Sequence, residues 1–141
     1  MSALADALAE ARALVGVEPA NAARAAETFE RVVHAAAEDA AVREALRDVA
    51  RGRALLRFTD SDDAFEFEAG DGALSIARAD RRGPGPKVDA ASGTWLGLMA
   101  GTIKPWLAFT RGLVVCRAGL NELRWLQQVA ERIQSGYARA R

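Results

Sequence analysis

The sequence predicts an α+β domain with one mixed β-sheet and helices packed on one of its faces. Three observations support this fold class. The first third of the chain is rich in alanine and has helical periodicity, the middle alternates apolar and polar residues, and the last third combines short helices, an apolar strand and an amphipathic helix. Residues 1–141 have the length of a single domain, in which residues 1–52 form N-terminal helices and residues 53–135 form the sheet and the helices beside it.

Three helices are predicted before the sheet. Residues 2–14 favour a short helix, which the segment 15–19 ends because it contains glycine and proline. A third helix over about residues 39–51 has Asp39 as its N-cap, and Gly52 is expected to end it. Between them lies a second helix whose apolar residues recur at the spacing of one buried face: Ala22, Ala25, Ala26, Phe29, Val32, Val33, Ala36 and Ala40.

Short strands follow in the middle of the chain. Residues 53–59 and 65–68 alternate apolar and polar side chains, which indicates strands with one buried face. Residues 70–72 read Gly-Asp-Gly, a hairpin turn that leads into a further alternating segment at 74–78. These segments predict an antiparallel meander, and residues 88–90 predict a fourth short strand after a loop rich in glycine and proline.

The last third mixes helices with one strand. Ser92 or Thr94 is expected to cap a short helix, and Pro105 begins another one. Residues 113–116 are apolar on both parities and predict a strand. Residues 119–135 form the final helix, with Trp125 and Val129 at the margin of its predicted apolar stripe, which consists of Leu120, Leu123, Leu126, Ala130 and Ile133.

Composition excludes several classes of function. The 19 basic and 19 acidic residues leave no net positive charge for nucleic-acid binding. One cysteine and one histidine exclude an intramolecular disulfide, a multi-cysteine metal site and a site with two imidazoles, so no metal or cofactor is predicted. No apolar run has the length of a membrane helix, and the N-terminus lacks the basic region of a signal peptide. We therefore expect a soluble cytoplasmic protein, and the high alanine and arginine content fits a bacterial source.

No catalytic motif is found, and the sequence predicts that the protein is not an enzyme. His34 and Cys116 are far apart in sequence, and each reads as an ordinary helix or strand residue rather than as half of a nucleophilic pair. Glu66 and Glu68 share a strand face and could perform acid–base chemistry in a cleft. The solvated face of an amphipathic strand is the simpler interpretation, so an enzyme that uses Glu66 or Glu68 stays the third alternative.

A local basic patch lies beside the loop that precedes the fourth strand. Arg78, Arg81 and Arg82 could contact anionic lipid headgroups or a phosphate. Asp80 and Asp89 dilute this charge, so a solvated loop is the competing interpretation.

The unusual feature of the sequence is its concentration of bulky apolar residues. Trp95, Trp106 and Trp125, the three tryptophans of the chain, all lie between residues 94 and 126. The two helices over this segment are short and depend on packing for their stability. Such an apolar layer over a sheet can hold a lipid-sized cavity, or it can form a plain core.

These residues also form a pattern that resembles the sterol carrier protein 2 (SCP-2) family of lipid-binding domains over about residues 53–130. The resemblance rests on the joint spacing of Phe65-x-Phe67, Gly70-Asp71-Gly72 and Ser92-x-Thr94-Trp95-x-x-Leu98-x-x-Gly101-x-x-x-Pro105-x-x-Ala108-Phe109-x-x-Gly112. It implies a five-stranded sheet with helices on one side and an apolar tunnel that accepts sterols, fatty acids, acyl-CoA, isoprenoids or other lipids. It also implies binding and transfer without catalysis.

The expected tunnel lining follows from the resemblance and from the apolar stripes. Its members come from the sheet, the short helices and the last helix: Phe58, Phe67, Ile76, Trp95, Leu98, Met99, Leu107, Leu123 and Leu126. Two departures from the family pattern stand out. Lys104 precedes Pro105 at a position where an acidic or small capping residue is usual. Leu113 and Val115 occupy strand positions that are normally polar and solvent-exposed. We expect the N-terminal helices or a second subunit of a homodimer to cover Leu113 and Val115.

Two interpretations remain besides the enzyme. The first is a non-catalytic lipid-binding module with an open tunnel and transient membrane contact. The second is an interaction or dimerisation module of the same fold, with a cavity filled by its own side chains, that serves as an accessory protein to a lipid- or quinone-processing enzyme.

Overall fold

The computed structural model describes residues 3–14, 22–117 and 119–139. The break predicted at residues 15–19 lies outside the described residues. The described part contains six helices, which are α1 (Ala3–Leu14), α2 (Ala22–Glu38), α3 (Ala40–Ala45), α4 (Ser92–Ala100), α5 (Pro105–Thr110) and α6 (Leu120–Arg139). It also contains five strands, which are β1 (Gly52–Phe58), β2 (Ala64–Gly70), β3 (Ala73–Arg78), β4 (Lys87–Ala90) and β5 (Val114–Cys116).

The strands form one mixed sheet in the order β3-β2-β1-β4-β5. The meander is confirmed, because β1 pairs antiparallel with β2 and β2 pairs antiparallel with β3. The chain then crosses over, and β4 pairs parallel with β1, with Leu56 opposite Val88. Strand β5 pairs antiparallel with β4 and forms an edge of the sheet. The predicted α+β class with helices beside a five-stranded mixed sheet is therefore confirmed.

The helices pack on one another and on one side of the sheet. Helix α2 contacts α4 and β3, and α1 packs against α2 and α4. Helix α6 contacts α3, α4 and α5. The predicted stripe of α2 is buried from Ala25 to Ala36, with Phe29, Val32 and Val33 at most 1% exposed. The prediction for its last member, Ala40, was wrong, because α2 ends at Glu38 and Ala40 is an exposed residue of α3. The N-terminal helices therefore belong to the same core as the sheet.

Three local predictions were wrong. Helix α3 is capped by Asp39 as expected, whose Oδ1 accepts from the N–H groups of Ala41 and Val42, but the helix ends at Ala45 and Gly52 begins β1. Neither Ser92 nor Thr94 caps α4. Its N-cap residue, Ala91, makes no side-chain cap bond.

The actual partner of the α4 N-terminus lies far away in sequence. Asp60 accepts the backbone N–H of Ser92 at 3.0 Å and its hydroxyl at 2.6 Å. Asp60 comes from the turn between β1 and β2, so a local sequence pattern could not identify this bond. The turn ties the start of α4 to the end of β1.

The apolar stripe of α6 is displaced from its predicted position. Leu120 is 59% exposed, whereas Val129, which was predicted at the margin, is 1% exposed. The buried side of the helix runs through Leu126, Val129, Ile133 and Tyr137. The helix therefore faces the core about one position away from the predicted stripe.

The second face of the sheet carries charged side chains. Arg53 pairs with Glu66 and Glu68 across β1 and β2. Arg57 binds Asp89 through two hydrogen bonds of 2.6 and 2.9 Å. Arg117 adds a third bond to the same carboxylate at 2.7 Å. An ion-pair network thus crosses β2, β1, β4 and the end of β5.

Candidate functional site

An apolar cavity of about 30 Å³ lies between the sheet and the helices. Every side chain that lines it is hydrophobic. The lining consists of Phe29, Leu56, Phe67, Trp95, Leu98, Met99, Phe109, Leu126, Val129, Ala130 and Ile133. A volume of this size holds about two water molecules, whereas ligand pockets usually measure about 300–1,000 Å³, so the cavity is too small for a lipid in this conformation.

Alternation along β2 gives the cavity its apolar wall. Phe67 points to the helix side and is 3% exposed, while Glu66 and Glu68 point to the opposite face. Phe67 meets the indole ring of Trp125 at 6.3 Å between ring centres, in an edge-on arrangement. The carboxylates of β2 therefore lie on the other side of the sheet from the cavity.

An aromatic cluster fixes the position of Trp95. The ring of Phe29 lies 5.7 to 6.0 Å from the rings of Phe58, Phe65 and Trp95. The indole N–H of Trp95 donates to the carbonyl oxygen of Arg57 at 3.1 Å, so its one polar atom is satisfied. Trp95 is thus a rigid part of the cavity wall.

Helix α5 forms a thin outer wall. Its Phe109 lines the cavity, whereas Trp106 is 52% exposed on the same six-residue helix. Pro105 and Ala108 are buried, and the N-cap residue, Lys104, makes no side-chain cap bond. Packing of a few apolar side chains therefore holds α5 in place.

Solved structures match this architecture. A crystal structure of sterol carrier protein 2 aligns over 84% of this chain and 96% of its own, with a TM-score of 0.57 and 19% sequence identity. A Thermus thermophilus protein described as a candidate sterol carrier protein aligns over 83% of this chain and 86% of its own, with a TM-score of 0.54 and 18% identity. The chain has the SCP-2 fold. No protein-family model matches the sequence, and no curated protein matches it significantly.

A third structure, the UbiJ-SCP2 ubiquinone synthesis protein, aligns over 84% of this chain and 94% of its own. Its TM-score is 0.47 and its sequence identity is 9%. In this chain the apolar cavity lies between the sheet and the helices of the SCP-2 fold.

Five of the nine side chains predicted for the tunnel line the cavity of the SCP-2 fold, namely Phe67, Trp95, Leu98, Met99 and Leu126. Phe58 is fully buried in the aromatic cluster, and Ile76 is 7% exposed on β3, so both belong to the core outside the lining. Leu107 and Leu123 are half-buried and also lie outside it. Ligand binding by any of these residues stays a prediction.

Sequence reasoning missed six residues of the lining. The apolar patterns of the sequence predict that these residues are buried, but they do not distinguish a side chain that lines a cavity from one in the packed core. These residues are Phe29, Leu56, Phe109, Val129, Ala130 and Ile133. Ala130 and Ile133 belong to the predicted stripe of α6, whereas Val129 was predicted at its margin and reaches the cavity because the buried side of the helix is rotated from that stripe.

The candidate catalytic groups do not meet at the cavity. Glu66 and Glu68 pair with Arg53 on the charged face of the sheet. His34 lies on the exposed side of α2 beside Glu30, and Cys116 is a half-buried residue of β5. No group of three or more metal-ligating side chains occurs among residues 3–14, 22–117 and 119–139. No helix in the described part of the chain is long and apolar enough to cross a membrane.

The basic patch predicted at Arg78 and Arg81 is occupied by internal contacts. Arg78 binds Asp63 at 2.5 Å and Glu30 at 3.3 Å, and its guanidinium lies 5.0 Å from the ring centre of Phe65. One nitrogen of Arg81 donates to three backbone carbonyls, those of Phe58, Ser61 and Asp63, at 2.8 to 3.2 Å. The hydrogen bonds of these two arginines stabilise the turn between β1 and β2.

The apolar residues expected to be covered are exposed. Leu113 is 44% exposed and Val115 is 46% exposed. The N-terminal helices pack on α4 and β3 instead, so they do not cover this edge. The other half of the expectation, a second subunit, stays a prediction.

Proposed function

We propose that the chain binds a hydrophobic lipid without catalysis, in the cavity between the sheet and the helices. The observation that carries this proposal is the lining, in which all eleven side chains are apolar. Sterols, fatty acyl chains and isoprenoids share the chemistry that such a lining accepts. The SCP-2 fold supports the same conclusion. A role in lipid transfer would follow if the bound lipid exchanges between membranes.

Lipid entry requires the cavity to expand. Its volume of about 30 Å³ is an order of magnitude below that of a usual ligand pocket. Helix α5 is the wall best suited to move, since it has six residues and presents Phe109 to the cavity. The free energy of opening must be offset by burial of the lipid, at about 0.8 kcal/mol for each methylene group.

The test is binding of a water-soluble fluorescent fatty acid to the purified protein. Ala130→Phe places a ring in the cavity, and we expect it to weaken binding at least about tenfold. Ala138→Phe is the matched control, because Ala138 is exposed on the same helix. Equal affinity for the two variants would contradict the proposed site.

A second readout does not depend on any substitution. Unlabelled fatty acids of increasing length should displace the probe about fourfold more tightly for each added methylene until the cavity is filled. Native mass spectrometry with lipid extraction should detect a species of lipid mass bound to the protein. Absence of displacement at every chain length would remove the proposed function.

The small volume also favours a second candidate function, an interaction module whose cavity is filled by its own side chains. Here a homodimer would form through Leu113 and Val115 at the edge strand, in an accessory role beside a lipid- or quinone-processing enzyme. Native mass spectrometry should then find a dimer without lipid, and Leu113→Lys with Val115→Lys should dissociate it. An unchanged mass and stability after both substitutions would exclude this interface.

A further inference from the structure

The segment of residues 90–121 contains no aspartate or glutamate, although the whole chain has 19 acidic residues and no net charge. Its cations are Lys104, Arg111 and Arg117. Arg117 is paired with Asp89. Lys104 and Arg111 are exposed at the two ends of α5, and neither has a carboxylate partner within the described part of the chain. The unpaired positive charge of this segment is therefore concentrated at α5.

Exposed bulky apolar side chains lie between and beside these two cations in the sequence. Trp106 is 52% exposed and Leu113 is 44% exposed. The backbone N–H of Leu113 donates to the carbonyl of Ala108 at 2.9 Å, so the turn after α5 folds back onto the helix. We call the four side chains Lys104, Trp106, Arg111 and Leu113 the α5 surface.

We propose that the α5 surface docks on an anionic lipid bilayer. Tryptophan and leucine side chains partition into the headgroup and upper acyl region, and flanking cations attract anionic lipids. The α5 surface offers both features within ten consecutive residues. An anionic membrane complements the charge of this surface, because Lys104 and Arg111 come from a segment without acidic residues.

The same charges disfavour a second copy of the chain as the occupant. In a symmetric dimer through the α5 surface, Lys104 and Arg111 of one copy would meet the cations of the other, and no acid of residues 90–121 could compensate them. A bilayer with negative headgroups has no such conflict. The other basic cluster of the sequence is less suited, because Arg78 and Arg81 are engaged in internal contacts.

Docking at this surface would bring the membrane to the cavity wall. Trp106 is exposed, and Phe109, about one turn later on α5, lines the cavity. Glycines with positive φ flank the helix, with φ of 81° at Gly101 and 73° at Gly112. No atom lies within 4 Å of the position of a Cβ at Gly112, so the turn after α5 is not packed against other side chains at this residue. This link between docking and lipid entry rests on the proposed lipid-binding function, whereas docking itself does not.

The experiment is cosedimentation with vesicles of phosphatidylcholine alone or mixed with phosphatidylglycerol. We expect binding to the mixed vesicles, little binding to phosphatidylcholine, and weakening by salt. Lys104→Glu with Arg111→Glu should weaken binding by about 25-fold or more, because each cation near an anionic surface contributes about fivefold. Arg43→Glu with Arg47→Glu at α3 changes the net charge equally and should have a much smaller effect.

Trp106 separates insertion from simple charge attraction. Trp106→Ala should weaken binding about fivefold, since half of the indole is available to enter the interface. Leu120→Ala is the matched control, as Leu120 is 59% exposed but does not belong to the α5 surface. Equal losses for Trp106→Ala and Leu120→Ala, or for the two charge reversals, would overturn the proposal. Equal binding to both kinds of vesicle would overturn it as well.

A parallel assay with the water-soluble fatty acid separates this proposal from the proposed function. The Lys104→Glu and Arg111→Glu variant should bind that probe like the unaltered protein, because neither residue lines the cavity. If the protein binds anionic vesicles but not the probe, the docking proposal stands and the proposed lipid site is excluded. If the protein binds the probe but no vesicles, the docking proposal is excluded. The same holds if the protein forms a dimer that the α5 substitutions dissociate.

Discussion

The indole ring of Trp125 occupies the space that a side chain at Gly52 would need. Three of its ring atoms lie 2.5 to 2.9 Å from the position of a Cβ on Gly52. The indole N–H donates to the carbonyl of Ala50 at 2.8 Å, just before β1 begins. Helix α6 is thus fastened to the start of the central strand.

Gly52→Ala should displace this indole and destabilise the protein. We expect a loss of about 2 kcal/mol in the free energy of unfolding, from overpacking and a weakened hydrogen bond. Urea denaturation measures it. Gly93→Ala is the control, because nothing lies within 4 Å of its Cβ position and alanine favours the helix. Equal stability of the two variants would contradict the packing argument.

The α4 N-terminus should depend on Asp60. Removing its carboxylate by Asp60→Ala leaves the N–H and hydroxyl of Ser92 without their partner, and we expect a loss of about 1 kcal/mol. Asp62→Ala removes an exposed carboxylate two residues away in the same turn. Thermal denaturation should distinguish the pair, and equal melting temperatures would show that Asp60 does not act as the cap.

Stability should fall in acid because of Asp89. Hydrogen bonds from Arg57, and then from Arg117, hold the pKa of the Asp89 carboxyl below its ordinary value although burial opposes them. The unfolded chain therefore binds the proton first, and the stabilisation is lost as the pH falls from about 4 through the lower folded pKa. Unfolding free energies at neutral and acidic pH measure this loss.

Asp89→Asn should make the free energy of unfolding depend less on pH in the acidic range. It should also lower that free energy by about 3 kcal/mol at neutral pH, because it leaves the half-buried Arg57 without its counter-charge. Asp48→Asn is the matched control, because Asp48 pairs with Arg132 but its side chain is 68% exposed. A surface pair of that kind contributes about 1 kcal/mol or less. An unchanged acid profile in Asp89→Asn would assign the dependence to other carboxylates.

Tyr137 should resist ionisation until the protein unfolds. It is the one tyrosine of the chain, and its hydroxyl is buried with no hydrogen-bond partner in the described structure. Burial raises the pKa of the Tyr137 phenol above its ordinary value. Above about pH 10 the unfolded chain alone loses this proton, so stability should fall as the pH rises. Absorbance of tyrosinate should therefore appear together with loss of the native circular dichroism signal.

Tyr137→Phe should leave stability unchanged or increase it by about 1 kcal/mol, because it removes an unsatisfied buried hydroxyl. Thr28→Val provides a second case, as the Thr28 hydroxyl is also buried without a partner among the described residues. A loss above about 1 kcal/mol in Tyr137→Phe would reveal a partner for the phenol, such as an ordered water.

The sequence permits prediction of features that depend on local periodicity. The alternation at residues 65–68 predicts β2 and its wet face, and the stripe of α2 predicts a buried Phe29. Features that depend on long-range contacts escape it. The hydrogen bonds between Asp60 and Ser92 join residues that are 32 positions apart. The guanidinium of Arg81 donates to backbone carbonyls, which every residue has, so no residue type in the sequence indicates these bonds.

The cavity lining also contains residues that local periodicity predicts and residues that depend on long-range packing. Phe67, Trp95 and Leu98 could be placed at the cavity because strand parity and the short-helix spacing orient them. Val129 could not, since a shift of one position in α6 changes which side chains reach the cavity. The small volume also has no sequence signature, because it depends on how Trp95 and Phe109 close the same apolar space.

Helix α6 is the last element of the described chain, yet it supplies four of the eleven side chains around the cavity: Leu126, Val129, Ala130 and Ile133. During synthesis the sheet and the first five helices emerge before α6. Until α6 is complete, the nascent chain exposes apolar surface around Phe67 and Trp95. We therefore expect chains truncated before α6 to aggregate or to bind chaperones, because the apolar surface that α6 covers stays exposed.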